Sequence, residues 1–183
     1  MACAGCIDCN PEIGLHEIHI TSKKPSFVNI CNNLGIKTIT VKDYFTNSID
    51  VMTSYKFKGT VLDVLTEINK LSEYSLNADR IKVESHIDTL NLPKNGYYEA
   101  HYELNEIQLY EETAIKLEEE GFFISSNSKI MITRKTRASK QNFIEVIIPF
   151  DIFILKNRYG LNVVKTVKEY TWLDTDPYYD GKF

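Results

Sequence analysis

The sequence predicts an α+β protein, a tandem duplication of a ferredoxin-like β-α-β-β-α-β unit with two pseudo-symmetric halves in one compact domain. Three observations predict it. Period-two and helical apolar patterns follow one another in the order β-α-β-β-α-β, and then do so again. Glu17-x-His19-x-Thr21 recurs as Glu99-x-His101-x-Glu103, a displacement of 82 positions from 17 to 99. The one linker-like stretch, 91–96 (NLPKNG), separates the two runs. The chain then divides into a cysteine-containing tail (1–14), a first half (15–90), the linker (91–96), a second half (97–173) and a C-terminal tail (174–183).

Each element has a local reason. In 15–21 (LHEIHIT), Ile18 and Ile20 alternate with Glu17, His19 and Thr21, which is strand periodicity. Ser26 can cap a short helix with the face Phe27, Ile30, Cys31 and Leu34, stopped by Gly35. Strands follow over 36–44 and 49–57. Thr60 caps the strongest helix, with Asp63 three residues on and a stripe of Val61, Leu65, Ile68 and Leu71. The first half closes with a strand over 80–87. In the second half, 97–104 reads as a strand. Residues 106–120 read as a helix with Ile107, Tyr110, Ala114 and Leu117 inward. Residues 122–124 and 129–134 read as strands. Ser139 opens a helix to about 158 in which the β-branched run 143–148 and Pro149 predict a kink. The last strand spans 161–173. It carries Tyr170 and Trp172, which with Tyr178 and Tyr179 either stack a base or sugar or, as expected of such a strand, pack on the core.

Composition narrows the function classes. The 183 residues carry 21 Lys and Arg against 25 Asp and Glu, a net charge of −4, so non-specific nucleic-acid binding is not expected. Apolar runs are too short to span a membrane, and no secretory leader precedes residue 15, so a cytoplasmic protein with reduced thiols is expected. Cys3, Cys6 and Cys9 have thiolate-ligand spacing with Cys31 as a fourth donor, but an unligated tail is the simpler reading. Nucleotide-binding glycine loops, the nucleophile elbow and the helical zinc motif are absent from the sequence. His16, on the face opposite His19, reads as a core or edge histidine.

The chemistry concentrates on two strands. Glu17, His19 and Thr21 share one face, and Glu99, His101 and Glu103 share the matching face of the second half. Ionisable groups on a buried face must be solvated, mutually paired or part of a site. Across an inter-lobe cleft, His19 and His101 would be an acid–base pair. Thr21, Glu17, Glu99, Lys56 and Arg134 would contact a small anionic or phosphorylated ligand.

His19-Ile20-Thr21 resembles the H-x-T motif of the two-histidine phosphoesterases, which are bilobed. The resemblance implies acid–base roles for His19 and His101 and phosphate binding by Thr21. The second half has His101-Tyr102-Glu103, with a carboxylate at the hydroxyl position. Residues 16–37 (HEIHITSKKPSFVNICNNLGIK) are similar to the opening of vicinal-oxygen-chelate modules. That resemblance implies a divalent metal held by His19, His101, Glu103 and Glu84. Taken whole, HEIHIT, Met52-Thr53-Ser54, Gly59-Thr60, IKVE (81–84) and YYEAH (97–101) resemble an uncharacterised family of small two-lobed proteins. The expected functions are therefore three: an enzyme or binder for a small phosphorylated ligand, a divalent-metal protein using the same residues, or a non-catalytic assembly protein, a homodimer included.

Overall fold

Strand alternation decides the architecture, because nearly every strand presents an apolar face and a polar one. The structure, a computed structural model, describes residues 13–74, 78–105 and 108–177. Cys3, Cys6, Cys9, Ile107, Tyr178 and Tyr179 lie outside the described residues. In chain order the elements are β1 (Gly14–Thr21), α1 (Phe27–Asn33), β2 (Thr38–Asp43), β3 (Ile49–Thr53), β4 (Tyr55–Gly59), α2 (Val61–Glu73) and β5 (Arg80–His86). There follow β6 (Tyr97–Leu104), α3 (Glu111–Glu119), β7 (Phe123–Ser126), β8 (Ile130–Thr136), a helix α4 and β9 (Val163–Asp174). Helix α4 has three consecutive parts, Lys140–Asn142, a π-helical turn Phe143–Ile147, and Ile148–Asn157.

The expected pair of ferredoxin-like halves is corrected by the pairing of the strands. Eight antiparallel strands run β1-β5-β9-β6-β8-β7-β2-β3, and β3 returns to β1 through Thr21 opposite Met52. The result is one closed barrel, not two duplicated sheets facing a cleft. The reason is edge satisfaction: two open sheets would leave rows of unpaired N–H and C=O groups. Here β5 pairs with β9 and β2 with β7, so those edges are consumed. The ninth strand, β4, pairs with the N-terminal part of β1.

β3 and β4 form one chain path that bends at Ser54. Pairing of β1 passes there from Tyr55, opposite Ile18, to Met52, opposite Thr21, and the Thr53 hydroxyl fills the gap between them. That hydroxyl accepts from Ile20 N–H at 2.9 Å and donates to Ile18 O at 2.8 Å. Ser54 N–H turns the other way, to Lys37 O at 2.9 Å.

The apolar core lies outside the barrel. Helices α1 and α2 cover one flank, packing Phe27, Cys31, Val64 and Ile68 on Ile18, Ile20, Val83 and Trp172. Helices α3 and α4 cover the other, packing Leu117, Phe143 and Leu155 on Tyr102, Ile124 and Ile132. Tyr98 joins the two, 5.2 Å from the Phe143 ring and 4.9 Å from Tyr170. The Thr60–Asp63 capping box forms as expected, but α2 buries Val64 and leaves Leu65 exposed. Helix α3 begins at Glu111, with Tyr110 exposed. Among the described residues no helix is long and apolar enough to cross a membrane.

Candidate functional site

With the apolar residues turned outward, the alternate positions line the barrel. They enclose a cavity of about 270 Å³ to which every strand of the closed barrel contributes. Its wall has two chemistries that follow strand order. The contiguous strands β1, β5, β9 and β6 supply Glu17, His19, Lys82, Glu84, Glu169, Glu99 and His101. The contiguous strands β3, β2, β7 and β8 supply Met52, Ile39, Val41, Phe123 and Met131, with Ser125 and Thr133 among them.

His19 is fully engaged. Its Nδ1 lies 2.8 Å from Thr53 O and its Nε2 2.7 Å from Glu84 Oε2. A carbonyl and a carboxylate only accept, so both ring nitrogens carry protons and His19 is an imidazolium. Burial works against that charge, but the Glu84 carboxylate outweighs it and holds the pKa above the usual histidine value. Lys82 Nζ bridges Glu84 Oε1 at 2.5 Å and Glu99 Oε2 at 3.0 Å. Burial alone would raise the pKa of both carboxyls. Lys82 with His19 holds Glu84 well below the carboxylate range, and Lys82 with His101 lowers Glu99.

His101 stands differently. Nδ1 lies 2.9 Å from Thr133 Oγ1, a group that donates or accepts. Nε2 faces Glu169 Oε2 at 3.2 Å and Glu99 Oε2 at 3.3 Å. Burial lowers its pKa, but hydrogen bonds to Glu169 and Glu99 override this and push it up to about 10. One ligand atom each from Glu84, His101 and Glu169 lie within 4.8 Å of one another. Buried beside them, Glu99 Oε1 and Thr171 Oγ1 have no hydrogen-bond partner among the described residues.

The barrel thus brings together His19, His101, Glu17, Glu84 and Glu99, all expected from sequence. Glu17 accepts from Ser54 Oγ at 2.5 Å. The other expected residues sit apart. Glu103 faces inward but pairs with Lys129 and lies outside the three-residue cluster. Thr21 is buried at the β1–β3 closure. Lys56 lines a second opening of about 480 Å³, beside Glu17, Glu84 and Glu169. Arg134 is corrected outright: alternation turns it to the outer face, where it binds Asp151 at 3.0 and 3.2 Å and lies 3.8 Å above the Phe122 ring. His16 is a satisfied core histidine. Its Nε2 donates to Gly59 O at 3.1 Å, while Ser85 Oγ donates to Nδ1 at 2.6 Å and accepts from Trp172 Nε1 at 2.9 Å.

Sequence reasoning missed Glu169, Lys82 and Thr133. The signal for Lys82 was present, since it alternates in phase with Glu84 in 81–84. Glu169 shares a face with Val167 and Lys165, a mixed pattern that does not single it out. Comparison with protein-family models, with curated proteins and with solved structures finds no match.

Proposed function

We propose that the barrel is a divalent-cation centre in which Glu84, His101 and Glu169 hold the ion and expose it to a small anionic ligand in the lumen. The observation that carries the reading is the 4.8 Å cluster of three potential ligand atoms around one imidazole nitrogen. Ligands at about 2.0–2.2 Å from a common ion stand roughly 3.4 Å apart in a tetrahedral set, so small rotations of the three side chains close on an ion. Thr133 Oγ1 would accept from His101 Nδ1–H, fixing the tautomer that leaves Nε2 for the metal. His19 and Lys82 hold Glu84 from behind and neutralise its remaining charge. One imidazole and two carboxylates suit manganese, iron or zinc better than calcium or copper(I). In this reading His101 is a ligand, and His19 positions Glu84.

The test is thermal unfolding and calorimetry of chelator-treated full-length protein with Mn²⁺, an ion that the thiols of Cys3, Cys6 and Cys9 bind poorly. The expected result is one ion per chain and a raised Tm, both lost in Glu169→Gln and His101→Gln. Binding that survives both substitutions, or no binding at all, overturns the proposal.

A further inference from the structure

The two-sided lumen says what kind of ligand the ion would meet, and this inference rests on the cation reading above. We propose that the lumen takes a small singly charged carboxylic acid with an apolar body. Its carboxylate and an adjacent oxygen would sit on the Glu84–His101–Glu169 ion, and its aromatic or branched side chain against Met52, Phe123 and Met131.

Three observations support it. The first is placement. The ionic strands and the more apolar strands each form a contiguous half of the barrel, so a molecule in the lumen meets charge on one side and, on the other, two aliphatic chains, a phenyl ring and two thioethers set among Ser125, Ser126, Asn127 and Thr133. A uniformly polar ligand would leave the apolar half in contact with hydrophilic atoms, and a uniformly apolar one would desolvate the carboxylates without replacing their hydration. The second is size. About 270 Å³ falls just below the range of roughly 300–1,000 Å³ typical of sites for drug-sized molecules. That suits one ring or a short branched chain with a compact head group. The third is charge. Glu17, Glu84, Glu99 and Glu169 face the His19 imidazolium, Lys82 and Lys135, and Glu103 and Lys129 cancel each other. Four carboxylates already line the lumen, so a ligand that brings one carboxylate to the ion adds far less repulsion than a polyphosphate, which would add several charges in a low-dielectric enclosure.

Met52 and Met131 are natural reporters, because both line the apolar half and the chain has only three methionines. The experiment uses the full chain with Cys3→Ser, Cys6→Ser and Cys9→Ser, ¹³C-methyl methionine labelling and Zn²⁺. Methyl signals are assigned through Met52→Leu and Met131→Leu. The probes are phenylpyruvate, with head and body, pyruvate, with head only, and inorganic triphosphate. With Zn²⁺ bound, phenylpyruvate is expected to shift both methyl signals and to bind roughly ten- to hundredfold more tightly than pyruvate, the ratio expected for burying a ring. Ion binding without any methionine response to phenylpyruvate overturns this inference and leaves the cation centre standing. Tighter binding of triphosphate than of phenylpyruvate also overturns it. Failure of the ion itself to bind overturns the cation centre and this inference with it.

Discussion

Thr53 shows how much one hydroxyl holds at the bend between β3 and β4. It is fully buried, and its hydroxyl bonds one N–H and one C=O of β1 where the pairing passes from β4 to β3. Its own carbonyl receives the proton of His19 Nδ1. The closure of the barrel and the orientation of the lumenal histidine therefore meet in one residue. Thr53→Val keeps the shape and removes both side-chain bonds, which leaves Ile20 N–H unsatisfied and takes one bond from Ile18 O. A buried group left unmet costs about 1–3 kcal/mol, so the variant should lose that much in urea unfolding. A loss near zero would show that β1 finds other partners. None of this is visible in the residues around Thr53, because its two bonds reach β1 more than thirty positions earlier in the chain.

Helix α4 shows what an element owes to its sequence and what to its partners. The β-branched run and Pro149 predicted a kinked helix, and the structure has a π-helical turn over Phe143–Ile147 in which Ile148 N–H bonds Phe143 O. Proline lacks the N–H that a regular turn would use, so the wider turn accommodates it. Deeper in the helix, Asp151 is buried and accepts from Tyr102 Oη at 2.9 Å and from Arg134 Nη2 and Nε at 3.0 and 3.2 Å. This clamps α4 to β6 and β8. Asp151→Ala leaves the Arg134 guanidinium with the Glu120 carbonyl alone and the Tyr102 hydroxyl without its acceptor, a loss toward the lower end of the about 3–5 kcal/mol for breaking a buried pair. Equilibrium denaturation should show that loss, and Asp151→Asn, which keeps an acceptor, should lose less. Arg134 itself illustrates a limit of local reading. It lies in the stretch 129–140, which holds Lys129, Arg134, Lys135, Arg137 and Lys140 and suggests an anion site, yet a single step of alternation puts Thr133 in the lumen and Arg134 outside. The start of α3 was misjudged for a related reason: Tyr110 fits a helical stripe but is exposed beside the first turn.

At the scale of the molecule, the element sequence and the polar faces were legible, and the closure was not. Patterns in residues 15–21 and 97–104 identified both strands and their ionisable faces, because alternation is local. Which edge pairs with which is decided by contacts between β2 and β7 and between β5 and β9, far apart in the chain, so an open cleft and a closed barrel look alike in sequence. Closure has an electrostatic consequence. It places the His101 proton among carboxylates, raising its pKa to about 10 from an unfolded value near 6.5. The folded state then binds more protons than the unfolded one between those values. The stabilisation from His101 is present in full below pH 6.5 and is lost as pH rises through about 10. His16 works in the opposite sense: burial lowers its pKa, so its contribution is lost as pH falls below about 6.5. The stability difference between the metal-free protein and His101→Gln, followed by denaturation from pH 6 to 10, should shrink steadily with pH. A pH-independent difference would contradict the carboxylate environment.

Because the apolar packing sits on the outer surface of the barrel, every strand carries two messages on alternate letters. One set of letters glues the helices down and sets how well the protein folds. The other writes the contents of the container and bears on folding through its own charge pairs, not through the helices. Ile18, Ile20, Tyr102 and Ile132 belong to the first script, and Glu17, His19, His101 and Thr133 to the second. A lineage, or a designer, can rewrite the second script without disturbing the first so long as its charges stay paired, so the vessel can be inherited while its cargo changes.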